Sequence, residues 1–383
     1  MWGCLGGHYK CGVLSCTSTQ SAFHSTLSSS KLGKFFYGDQ SAKFDLVVTS
    51  RLFSYKKMST SSSAIDWNNG SHQSAVSIGT HKLALNVSGP DRIPGQPVIL
   101  IMHGLTGAMT QWPAARRLIS LFARVVDYDR SGLGQSEEGP DSPTALTAAR
   151  ELSVLLEAAN IDPPFITFAH SWGAILSLEF MNSRPQDISG MVFSDGTAPG
   201  FWSVLPMFPT LPEVKAVIEG LDYWDTVGMT TETRLTPGEW EEFLKQGKSE
   251  RNKRQAAKEF EFMDSTFVEV EKKNLFSQTP AKMGNRPVCV IKGNHATRDI
   301  QRLYEKGVER GNGTEDERKK MRDAIGLWIE KEKRYHESFL KLSTAGHWID
   351  APESGHWPHE TEPELIADGV RWVLKNLETK SHV

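Results

Sequence analysis

The chain has 383 residues, 39% of them apolar and 23% charged, with a formal net charge of −3. That length admits one large domain or two ordinary ones, and the near-neutral balance gives no reason to expect a nucleic acid or another polyanion as partner. No uninterrupted apolar run is long enough to span a bilayer.

The charge is unevenly placed. Up to Lys57 there are seven Lys/Arg against Asp39 and Asp45. This Ser-rich stretch lacks the apolar core of a secretory signal, Gly12-Val13-Leu14 being too short. It reads as a transit peptide, a disordered tail or residues foreign to the natural protein, and Met58 marks an alternative start. Residues 1–66 are therefore set apart from the fold as a disordered or targeting extension. Cys4, Cys11 and Cys16 fall in it and Cys289 in an apolar run, so no disulfide framework or metal spacing arises, as in a reducing compartment. The cytoplasm is the expected location, with the mitochondrion and the peroxisome as alternatives. The terminal Ser381-His382-Val383 has the wrong last residue for a peroxisomal address.

From Ala75 to Ser88 a loose alternation predicts a hairpin. Val98 to Met102 is a continuous apolar strand of the kind a parallel sheet buries on both faces, and it ends in His103-Gly104-Leu105. A second such strand, Arg124 to Asp129, leads into Arg130-Ser131-Gly132-Leu133-Gly134-Gln135-Ser136. Helical spacing follows between Ser142 and Asn160, with Pro143 expected in the first turn. Then Pro164 to Ala169 forms a strand that runs into His170-Ser171-Trp172-Gly173 and an apolar helix. Ile188 to Asp195 is the next strand. Strand and helix alternate throughout, which predicts an α/β fold with a mostly parallel central sheet flanked by helices.

The alternation stops after Asp195. Residues 199–283 carry Trp202, Met207, Phe208, Trp224, Met229, Phe243, Phe260, Phe262 and Phe267, with helix-start chemistry at Thr236-Pro237-Gly238-Glu239. They are expected to form a helical cap insertion, dividing the core into 67–198 and 284–383. The sheet resumes at Val288 to Ile291. A polar insertion, Asp299 to Lys341, places Met321, Ile325, Trp328, Tyr335 and Phe339 on one face of a helix starting near Thr314, and its charges of both signs read as a solvated face. The chain closes with the strand His347–Asp350, the loop Pro352–His359 and an amphipathic helix from Glu362 to Leu377.

A strand turning sharply into a helix at a Ser, with small residues two before (Ala169) and two after (Gly173), is a nucleophile elbow. Acyl transfer at neutral pH also needs a base, a group to orient the base, and donors for the oxyanion. His356, between the last strand and the closing helix, is the expected base. His359 has helical spacing from it, but Pro358 intervenes and no acidic or Cys ligands lie nearby in a zinc-like spacing, so neither a metal nor a cofactor is expected. The oxyanion donors would be the backbone N–H groups of Leu105 and Trp172, with His103 bracing its loop. The acid is open between two residues: Asp195, preferred, at the end of the strand before the cap, and Asp299, six residues past Gly293. Both keep the order Ser, acid, His.

Met102-His103-Gly104, Asp129-Arg130-Ser131-Gly132, Ala169-His170-Ser171-Trp172-Gly173 and Gly355-His356-Trp357-Pro358 together resemble the α/β-hydrolase superfamily over Ala75 to Leu377. The long insertion at Asp299–Lys341 is similar to that of poorly characterised fungal members, some of them in secondary-metabolite pathways. The Ser-Trp-Gly corner also resembles proline iminopeptidases, but the cap acids that hold a substrate amine there have no counterpart that can be placed here. Haloalkane dehalogenases and epoxide hydrolases have an Asp where Ser171 stands. The resemblance implies an α/β-hydrolase fold with a cap and a cofactor-free serine hydrolase acting on an ester, thioester or lactone of a small apolar molecule. The alternatives within the fold are an amidase or aminopeptidase, a C–C bond hydrolase or a lyase, and outside catalysis a ligand-binding protein. Oligomeric state is not legible.

Overall fold

In the computed structural model, which describes residues 65–139, 142–201 and 211–378, strand formation follows the apolar runs closely. The expected extension up to residue 64, residues 202–210 with Trp202, Met207 and Phe208, and the tail Ser381–Val383 lie outside the described residues. The strands are β1 (His72–Ser77), β2 (Lys82–Ser88), β3 (Val98–Met102), β4 (Val125–Tyr128), β5 (Phe165–His170), β6 (Ile188–Ser194), β7 (Val288–Lys292) and β8 (Gly346–Asp350). They form one eight-stranded sheet in the order β1-β2-β4-β3-β5-β6-β7-β8. The β1–β2 hairpin is antiparallel and β2 joins β4 antiparallel; all other pairings are parallel.

Edge strand β1 alternates between half-buried and exposed positions, whereas every residue of β3 and β5 is buried. Alternate residues of the central strands face opposite layers. Leu100, Met102, Phe165 and Phe193 pack with the helices α2 (Ala145–Ala158) and α3 (Gly173–Ser183), while Ile99, Ile101, Ile166 and Phe168 pack against α1 (Pro113–Ile119) and the closing helix Pro363–Glu378. Covering both faces is what permits continuous apolar strands. In α2 the N-cap is Thr144, whose side chain accepts from Thr147 N, so Pro143 lies before the helix and not in its first turn.

The chain leaves β3 towards β4 on one side and returns past β3 to β5 on the other. The carboxyl ends of β3 and β5 therefore flank a topological switch point, where open α/β sheets form their ligand crevice. His103-Gly104-Leu105 follows β3 and Ser171 follows β5, so both stand at that crevice.

Between β6 and β7 the described residues form short helices and two longer ones, Pro237–Lys248 and Glu250–Glu271. The first of the longer pair starts at a capping box between Thr236 and Glu239. Met263, Phe267 and Val270 of the second join the core layer of α3. The 299–341 segment begins within a π-helical turn (His295–Ile300) and contains helices Gln301–Glu309 and Glu315–Ser338, the latter with a Thr314–Glu317 capping box. Met321, Ile325 and Trp328 face inward as their spacing predicts. The reading of its charges as a solvated face needs correcting at Glu332 and His336, which are buried. Their positions match the inward stripe, and Glu332 meets Lys292 Nζ at 3.1 Å. Among the described residues no helix is long and apolar enough to cross a membrane.

Candidate active site

Ser171 sits at the β5–α3 corner with φ 54°, the left-handed region that a side chain adopts only when its surroundings impose it. The corner is held by Ser171 N donating to Ser194 O (3.4 Å) and Thr197 N donating to Ser171 O (2.9 Å). Gly173 is required by close approach: a Cβ there would lie 2.1 Å from Met102 O. The half-buried hydroxyl is consequently presented at the crevice.

His356 arrives from the loop after β8. Its Nε2 is 3.0 Å from Ser171 Oγ and its Nδ1 is 2.5 Å from Asp195 Oδ2. Asp195, buried at the end of β6 with φ 43°, also accepts the Gly293 N–H at Oδ1 (3.1 Å). Burial opposes its charge, but the hydrogen bond with His356 and the nearby imidazoles of His336 and His356 prevail and hold the carboxyl below its ordinary range. With Asp195 ionised, His356 Nδ1 carries the proton and Nε2 is free to accept one from Ser171.

Asp299 takes another place. Its carboxylate accepts the backbone N–H of His356 at 2.7 Å and does not reach the ring's Asp195 side. Burial raises its carboxyl to about 6. Gly355 makes this possible, because a Cβ there would lie 1.8 Å from Asp299 Oδ1. Asp195 thus contacts the imidazole, and Asp299 the backbone that carries it.

The neighbouring histidines make structural contacts. Burial, with His356 beside it, pushes the His170 imidazole down to about 3, and its Nε2–H donates to His356 O at 2.6 Å. His103 and Asp127 are both buried with Nε2 and Oδ1 2.6 Å apart, tying the end of β3 to β4. His359 is fully buried and stacks on Trp112 at 4.2 Å between ring centres. His347 stacks on Trp372 at 4.6 Å.

The loop after β3 is held from an unexpected direction. Glu259, buried on the Glu250–Glu271 helix, accepts the backbone N–H of Thr106 at 2.5 Å and pairs with Arg130 at 2.9 Å. Arg130 in turn donates to His103 O (3.0 Å) and Gly104 O (2.8 Å) and lies over the Trp172 ring, 5.0 Å from its centre. Leu105 is thus flanked by two anchored residues. Among the described residues, neither Leu105 N–H nor Trp172 N–H has an acceptor within the protein.

Sequence reading missed Glu259, His336 and His295. His336 Nε2 is 3.4 Å from Asp195 Oδ1, and the His295 ring stands edge-on to His356 at 4.5 Å. All three come from helical segments dense in charged residues, where spacing alone does not tell which polar side chains turn inward. Asp195, His295 and His356 have ligand atoms within 4.8 Å of one another, but the Asp195–His356 hydrogen bond already engages two of these groups.

The pattern defining the alpha/beta hydrolase family matches residues 98–369 of this chain. The chain belongs to the alpha/beta hydrolase family. Among its relatives in the family, an "AB hydrolase superfamily protein" of Gibberella zeae is 29% identical over 304 residues, covering 77% of this chain and 91% of the relative. The "Probable transporter efuK" of Hormonema carpetanum is 28% identical over 329 residues, covering 82% of this chain and 44% of that longer protein. In fold, this alpha/beta hydrolase is similar to a thermophilic esterase from Thermogutta terrifontis, with a TM-score of 0.51, 17% identity, and coverage of 80% of this chain and 99% of the esterase.

Proposed function

We propose that this alpha/beta hydrolase is a serine hydrolase that cleaves an ester, thioester or lactone of a small, largely apolar molecule. The observation that carries this reading is the position of His356, within hydrogen-bond distance of the Ser171 hydroxyl on one side and of the ionised Asp195 on the other. Ser171 Oγ attacks the substrate carbonyl while His356 Nε2 takes its proton. The resulting oxyanion is received by the N–H groups of Leu105 and Trp172, which among the described residues have no competing acceptor. Collapse expels the alcohol or thiol, protonated by His356, and leaves an acyl group on Ser171. Water then gives its proton to His356 and attacks the acyl carbon, and the returning proton restores Ser171. Asp195 stabilises the imidazolium formed in each half-reaction and keeps the ring in the tautomer that can accept from Ser171.

Turnover of a panel of p-nitrophenyl esters of increasing acyl length tests the reading. Hydrolysis should fall by more than about 10³-fold in Ser171→Ala. Turnover that survives this change would overturn it.

A further inference from the structure

A cavity of about 220 Å³ lies beside the loop after β3, between Thr106, Thr110 and Gln111 on one wall and Trp224, Trp240 and Phe243 on the other. It does not touch Ser171 or His356. It nevertheless borders the site at two points. Thr106 follows the expected oxyanion donor Leu105, and Trp224 packs at 5.2 Å against Trp357, the residue after His356.

Several polar groups around it are already engaged. Thr110 Oγ1 donates to Gln246 Oε1 at 2.7 Å, and Asp222 caps the short helix Tyr223–Thr226 by accepting from Asp225 N. Two amides are different: Gln111 is only 8% exposed and Asn252 Oδ1 is buried, yet among the described residues neither the Gln111 amide nor Asn252 Oδ1 has a hydrogen-bond partner in the protein. Buried amides are almost always satisfied, so one left open on a cavity wall is evidence for a ligand. Thr106 adds a second sign. A β-branched residue at φ 58° is strained, and here the Glu259 carboxylate holds its backbone N–H in that conformation. An aromatic cluster serving only as core would account for Trp224 and Phe243, but not for an unpaired amide beside them.

The shape of the aromatic wall defines the ligand class. Trp224 and Trp240 meet at 88° with centres 5.9 Å apart, and Trp240 is tilted 40° to Phe243. A planar ring in such a corner meets one indole face-on and the other at its edge, both favourable arrangements. The volume is below the range of about 300–1,000 Å³ typical of whole-ligand pockets, so it suits part of a molecule. We propose that this cavity is a subsite for a one- or two-ring planar aryl group bearing a hydroxyl or carbonyl, bound against Trp224 and Trp240 and hydrogen-bonded to the Gln111 amide. Resting on the proposed hydrolase reading, it is the subsite for the aryl end of the substrate.

The test is calorimetric titration of Ser171→Ala, which removes turnover from the readout, with 2-naphthol and with its saturated analogue decahydro-2-naphthol. Saturable 2-naphthol binding is expected, with the saturated analogue at least about fivefold weaker. Gln111→Leu should weaken 2-naphthol about tenfold, the loss of one buried hydrogen bond. Trp240→Leu, at a half-buried position, should weaken it similarly. No 2-naphthol binding, equal affinity for the two alcohols, or affinity unchanged in both folded variants overturns the subsite. Binding by an Ser171→Ala protein whose parent hydrolyses no ester would leave the subsite standing and remove the hydrolase reading.

Discussion

The carboxylate of Glu259 and the guanidinium of Arg130 meet at 2.9 Å, both almost fully buried, and between them hold the backbone on either side of Leu105. Removing one partner of such a pair leaves an uncompensated charge, so its effect reaches whatever the pair positions. Glu259 does not face the reacting atoms through any contact with Ser171 or His356. Its contacts fix the loop on either side of Leu105, the proposed oxyanion donor.

Glu259→Gln should therefore lower kcat about 10- to 100-fold while changing KM by less than about threefold, since a displaced oxyanion donor is missed chiefly in the transition state. Steady-state kinetics on a p-nitrophenyl ester measures the split. A variant with reduced thermal stability but unchanged kcat would assign Glu259 a purely structural role.

The two candidate acids should separate clearly. Asp195→Asn leaves the geometry but favours the wrong imidazole tautomer, and kcat is expected to fall by about 10³- to 10⁴-fold. Asp299→Asn keeps an oxygen that can accept the His356 backbone N–H, so its loss should stay within about tenfold. Rate constants for the two variants at pH 8 decide this, and the reverse order would move the orienting role to Asp299.

How much of this was legible in the sequence follows from how local each requirement is. Ser171 and Gly173 could be read because the corner is made by adjacent residues and a 2.1 Å constraint from the next strand. Leu105 and His356 follow from position after a strand. The choice between Asp195 and Asp299 was harder, because both follow strands that end at the same edge of the sheet. Their division of labour depends on the approach of Gly355 to Asp299, a contact between segments 56 residues apart by number. Glu259 and His336 carried no readable signal: each is one polar residue in a helix full of them, and only packing across the crevice selects it.

A buried acid away from the reacting atoms should give the fold a pH dependence. Glu360 is fully buried beside His359, and burial raises its carboxyl from the ordinary 4.5 to about 8. Between those values the folded chain keeps a proton that the unfolded chain releases. The folded state binds more protons in that window, so this contribution to stability is full below pH 4.5 and is lost as pH rises towards 8. Asp299, raised to about 6, and Glu332, raised to about 7, act with the same sign, so the comparison must be with a single variant. The Tm advantage of Glu360→Gln over the parent should grow from pH 5 to pH 8. Parallel Tm curves would contradict the buried, protonated state.

The central claim is that Ser171 is activated by His356 and Asp195. Labelling of the folded protein by a fluorophosphonate, with the modified peptide located by mass spectrometry, tests it most directly. The account predicts covalent capture on Ser171, abolished in Ser171→Ala and strongly slowed in Asp195→Asn. Folded parent protein that is not labelled, or is labelled at another residue, would contradict it.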